Sequence, residues 1–183
     1  MSNRPLWTRS DYRALALWFF PAVILTWPLH ESAHWAMGTV LGYDMWMTFN
    51  HVGLVEGTYN STIHLVAVAL AGPLVTWFQG IAALVLIRRT SHVRYYPFLF
   101  LAFFMRACAM GISYISRPND EAAASLALEL PMWVLPVVFV LFLLSLTVSG
   151  SRRLGAGWKE NALAFLMASL VVTLVVLSDG LLS

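Results

Sequence analysis

The sequence predicts an all-α integral membrane protein of about five transmembrane helices, with a short β-type excursion after the first. Three observations carry that prediction. Hydrophobic residues make up 60% of the chain and charged residues only 11%, with a mean hydropathy of +0.74, so too few polar side chains remain to clothe a soluble surface. Apolar runs long enough for a bilayer, which needs about 20 residues, recur five times. The basic residues gather at alternate connections, as they do in multi-pass proteins.

The first span is read over 12–42, with Ser10 and Asp11 as start signals. Arg4, Arg9 and Arg13 before it imitate a signal peptide. No small-residue cleavage site follows, so the segment is expected to remain as an uncleaved anchor. Residues 43–60 then break the helical pattern. Met45, Met47 and Phe49 alternate with Trp46, Thr48 and Asn50, the period of a strand with one apolar face. Gly53 and Gly57 permit a turn and a return. Such an edge suits strand addition by an extended peptide; the same stretch also suits an interfacial loop anchored by Tyr43, Trp46 and Tyr59.

Spans two and three are read over 61–89 and 94–116, the second started by Asn60, Ser61 and Thr62. The fourth, 120–149, begins at Asn119-Asp120. Its Pro131 and Pro136 each remove a backbone donor and should kink or break it. The fifth covers 159–180. Ala67 with Ala71, and Ala107 with Gly111, have the four-residue spacing of close helix contacts. No repeat or linker interrupts the pattern, so residues 1–183 are read as a single integral domain.

Arg4, Arg9, Arg13, Arg88, Arg89, Arg94, Arg152, Arg153 and Lys159 all fall on one side of a five-span chain, whereas the opposite connections hold only Arg117. The expected topology is therefore N-terminus cytoplasmic and C-terminus outside. A net charge of +2 gives no sign of a nucleic-acid partner, and the single Cys108 excludes an intrachain disulfide.

Ionisable groups inside a span are costly and mark a partner or a task. The pentad "HESAH" at 30–34 follows an apolar run. A helix sets His30 and His34 on one face, one turn apart, which suits two ligands of one zinc ion. Glu31 beside them can take a proton from metal-bound water. Two histidines hydrogen-bonding neighbouring helices would be the plainer explanation.

After the pentad come "YDMWMTFNHVGLVEGTY", then "LAGPL" at 70–74, then "RPNDEAAASLALELP" at 117–131. In that order, from residue 14 to about 148, the chain resembles the site-2 protease family of intramembrane zinc metallopeptidases. The resemblance implies that Asp120 completes the zinc shell. It also implies that the 43–60 excursion presents a membrane-embedded or membrane-associated protein substrate. The Asn-Pro-Asp-Gly-like signature of larger members is missing, and Asp120 also reads as a helix start. Glu121 and Glu129 are alternative third ligands, and His51 and His64 could visit the site.

Arg106 is the other costly residue, about 15 Å from the nearer end of its helix at 1.5 Å per residue. It could orient Glu31 or a ligand carboxylate, stabilise an oxyanion, or simply pair with Glu129. The expected function is a zinc-dependent intramembrane endopeptidase cutting near the outer face. The alternative is a non-enzymatic membrane accessory subunit whose polar cluster fixes helix packing for a partner protein. Metal transport fits less well, because no second row of ligands crosses the membrane.

Overall fold

The computed structural model describes residues 7–182; Arg4 lies outside them. The described chain runs α1 (Arg9–Val40), β1 (Met45–Met47), β2 (Val52–Leu54), α2 (Thr62–Thr90), a single 3-10 turn (Val93–Tyr95), α3 (Tyr96–Ile115), α4 (Asp120–Ala127), α5 (Val134–Leu154) and α6 (Trp158–Leu182). Five of these helices are long and apolar enough to cross a bilayer, the pattern of a multi-pass membrane protein. The fold class is the one expected, with a two-stranded hairpin after the first helix.

Local chemistry sets the helix starts. Thr8 and Asp11 form a capping box ahead of α1, so that helix begins earlier than Ser10 and Asp11 suggest. Ser61 caps α2 by accepting the His64 N–H. The predicted span 120–149 is two helices. α4 ends in a turn where Leu130 N–H bonds to Ser125 C=O and Glu129 N–H to Leu126 C=O, with Glu129 at φ 59°. That is a Schellman stop with glutamate in the left-handed position. Pro131 follows and cannot resume the helix, whereas Pro136 sits in the first turn of α5 and is tolerated there.

An apolar core unites α1, α3 and α6 through Leu15, Phe19, Tyr96, Leu99, Ala168 and Val171. Gln79 of α2 ties three helices by donating to Thr26 Oγ1 and Phe98 C=O at 2.9 and 3.0 Å. Trp77 joins α2 to α5, stacking on Phe139 and donating to its carbonyl. The close approaches are not all where four-residue spacing puts them. Gly111 faces open space. Gly80 instead meets Leu143, and Gly150 meets Leu99, with room for hydrogen alone.

The hairpin is shorter than the alternation over 45–50 suggests, since Phe49 lies beyond β1. β1 and β2 are antiparallel, with Met45 opposite Leu54 and Met47 opposite Val52. Met45 is buried against Gly38, and Trp35 Nε1 donates to its carbonyl at 3.2 Å, so the hairpin is pinned to α1. At its return, Tyr43 Oη contacts His64 Nδ1 at 2.7 Å and accepts the Asn60 N–H. Tyr43 thus closes the excursion on α2 and is not simply a headgroup anchor.

Candidate metal centre

The site lies toward the C-terminal end of α1, beyond the apolar contacts of Leu15 and Phe19 and next to Trp27 and Met105 of the same core. Helical spacing in α1 stacks His30 and His34 on the face that meets α2, both almost fully buried. Their rings lie edge to face at 4.7 Å. On α2, Val68, Gly72 and Thr76 recur every four residues and form the opposing wall. His30 Nδ1 lies 3.0 Å from Thr76 Oγ1, and His34 Nδ1 lies 2.6 Å from Val68 C=O. Thr76 donates its own hydrogen to Gly72 C=O. Its lone pair can then accept from His30; with that assignment, and with Val68 C=O able only to accept, both imidazoles place a proton on Nδ1.

Each Nε2 then points inward. The two Nε2 atoms stand 3.1 Å apart, and Asp120 Oδ2 lies 3.2 and 3.7 Å from them. The ligand-capable atoms of His30, His34 and Asp120 all fall within 4.8 Å of one another. Lone pairs converging on one point need either extra protons or a cation between them. Nδ1 anchored to a hydroxyl or carbonyl is the usual support for a histidine that binds metal through Nε2. Two imidazoles and a carboxylate suit zinc with an open fourth position. Gly72 leaves the space this requires, for a Cβ there would overlap His34 Nε2 and come within 2.6 Å of His30 Cε1. The residues fit a metal ion.

Asp120 arrives by a fold-back. After α3 the chain reverses through 116–119, where Asn119 N–H bonds to Ser113 Oγ and the Asn119 side chain accepts the Asp120 N–H. The first turn of α4 is thereby delivered to the depth of Arg106. Arg106 Nη1 donates to Asp120 Oδ2 at 2.9 Å and reaches both Glu121 oxygens at 3.3 Å. Its Nη2 stands 3.5 Å from His30 Nε2, and its buried Nε has no partner. For Glu121 burial prevails over Arg106, and the carboxyl is raised.

Pairing of Arg106 with Glu129 does not occur; Arg106 binds Asp120 and Glu121, while Glu129 is exposed in the turn after α4. Glu121 faces Arg106, and His64 is engaged by Tyr43. Glu31 is buried next to His30 in α1, and His51 lies exposed between β1 and β2. Sequence reasoning noted Gly72 only within the LAGPL element, missing its closeness to the imidazoles, and missed Thr76. Their signal was a threonine four residues after a glycine on an apolar helix, a common pairing with no chemistry of its own.

Fold and geometry together define a class: a five-span helical bundle holding a buried group of two histidines and one aspartate that could take a single metal ion. No protein-family model, curated protein or solved structure matches the chain.

Proposed function

We propose that the chain is a zinc-dependent intramembrane endopeptidase of the site-2 protease type. One observation carries the reading most: both pentad imidazoles are anchored through Nδ1 and turn Nε2 toward the same Asp120 oxygen, with Glu31 next to them in sequence. His30, His34 and Asp120 would hold the metal. Bound there, zinc would supply Lewis acidity for a scissile carbonyl and for water. Glu31, buried beside the histidines, would hold and move the proton as general base and then acid. Arg106 keeps Asp120 ionised and aimed. The substrate is a membrane-associated peptide, reached from the end opposite the basic residues, which the charge rule makes the outer face.

A second reading has its own observation. Arg106 already supplies a cation 2.9 Å from Asp120 Oδ2 and 3.5 Å from His30 Nε2. A metal-free network of that kind would serve an accessory subunit whose polar cluster locks its helices for a partner. Elemental analysis of purified protein decides between them, together with cleavage of a panel of single-span proteins. The peptidase reading expects about one zinc per chain, lost in His30→Ala, His34→Ala and Asp120→Ala. Glu31→Gln should keep the metal and abolish cleavage. Wild type free of zinc, with a partner that copurifies regardless of Glu31, would establish the accessory role.

A further inference from the structure

At the basic end of the bundle, away from the metal centre, an open groove of about 280 Å³ lies between α3, α5 and α6. Its walls change character along their length. Phe100 and Phe103 of α3 and Leu144 and Val148 of α5 line the part inside the span, while Arg152 and Asn161 line the mouth. From Leu144 to Arg152 is eight residues, about 12 Å at 1.5 Å per residue. The groove therefore runs from the headgroup level into the hydrocarbon.

We propose that this groove binds an anionic phospholipid of the adjoining leaflet, its phosphate on Arg152 and one acyl chain against Phe103, Leu144 and Val148. The mouth is rigid and already satisfied. Tyr96 Oη donates to Asn161 Oδ1 at 2.6 Å, and Asn161 Nδ2 donates to Ser151 Oγ at 3.0 Å. Arg152 is the exception, because among the described residues no side-chain hydrogen bond or ion pair engages it. Its neighbours differ: Arg88 donates to Ser149 Oγ, and Arg153 to Arg88 C=O. A free guanidinium offers a planar fork of donors that suits a phosphodiester.

Charge selects the class of headgroup. Arg88, Arg89, Arg94, Arg153 and Lys159 lie at the same end of the bundle as Arg152. Two acids at this end, Asp11 and Glu160, do not balance these cations. An unbalanced positive rim favours an anionic lipid over a zwitterionic one. The volume sits near the small end of ligand sites, about 300 Å³. It accommodates a headgroup and the first stretch of a chain, the remainder lying in the bilayer.

The test is native mass spectrometry of the full chain in detergent, titrated with phosphatidylglycerol or phosphatidylcholine of the same chain length. Wild type is expected to bind the first lipid at least tenfold more tightly. Arg152→Ala should reduce that preference to near unity, and Arg89→Ala, outside the groove, should preserve it. Leu144→Trp, which fills the groove but keeps Arg152, should weaken binding of both lipids. Equal affinity of wild type for the two lipids, or equal losses in Arg152→Ala and Arg89→Ala, would overturn the proposal. Displacement of the lipid by millimolar glycerol phosphate would overturn it too, by showing a soluble phosphate site.

Discussion

Gly72 of α2 lies directly against His34 of α1, leaving no room for a Cβ between the helix backbone and the imidazole Nε2. The metal-facing edge of the histidine pair therefore depends on a residue with no functional group. Gly72→Ala should push both rings out of register and weaken zinc binding at least tenfold, with helix content and yield unchanged. Chelator competition measures the first and circular dichroism the second. Gly111→Ala, where nothing lies within 4 Å, is the matched control. Undiminished affinity in Gly72→Ala would mean that the rings are not held where metal binding needs them.

Thr76 Oγ1, 3.0 Å from His30 Nδ1 and bonded to Gly72 C=O, can accept from the ring and so favour the tautomer that presents Nε2. Thr76→Val keeps shape and removes the acceptor. Loss of such a support is expected to cost roughly 10- to 100-fold in metal affinity, and Thr76→Ser should restore most of it. If valine and serine behave alike, the hydroxyl is not part of the site.

Arg106 is buried between Asp120 and Glu121. Arg106→Met leaves two carboxylates without their cation, a change expected to destabilise by about 3–5 kcal/mol. Adding Glu121→Leu should recover part of that loss, because one of the uncompensated groups is then gone. Thermal unfolding in detergent gives both numbers. A single variant as stable as wild type would remove Arg106 from the architecture of the site.

Glu129 is held at φ 59° in the turn that ends α4. Glycine reaches that conformation without strain, so Glu129→Gly should be neutral or stabilising by up to about 1 kcal/mol. Metal content should not change. Loss of zinc from this variant would reinstate Glu129 as a ligand in place of Asp120.

Orientation has a direct test. In a background without Cys108, cysteine at Asn50 in the hairpin turn should react with an impermeant reagent from outside. Cysteine at Trp158, exposed at the basic end, should react only after permeabilisation. The reverse pattern would put the metal centre on the cytoplasmic side.

The spans were readable because hydropathy is additive along a chain and needs no partner. The histidine pair was readable because helical spacing is local. Arg106 is recognisable as costly, but its partners follow from a four-residue reversal whose depth no periodicity encodes, so sequence leaves them open among Glu31, a ligand carboxylate and Glu129. Pro131 signalled a break in 120–149. The stop itself rests on Glu129 adopting a conformation that its side chain does not favour. The closeness of Gly72 to the imidazoles is a property of two helices together, legible only once both are in place.

The apolar core reaches Trp27, three residues before His30, and Met105, next to Arg106, but is held together by hydrocarbon alone. Under the peptidase reading Glu31 works on substrate and not on that packing. Under that reading Glu31→Gln should leave a chain that still folds, inserts and holds a substrate without releasing it as fragments, which would make the variant a trap for identifying that substrate.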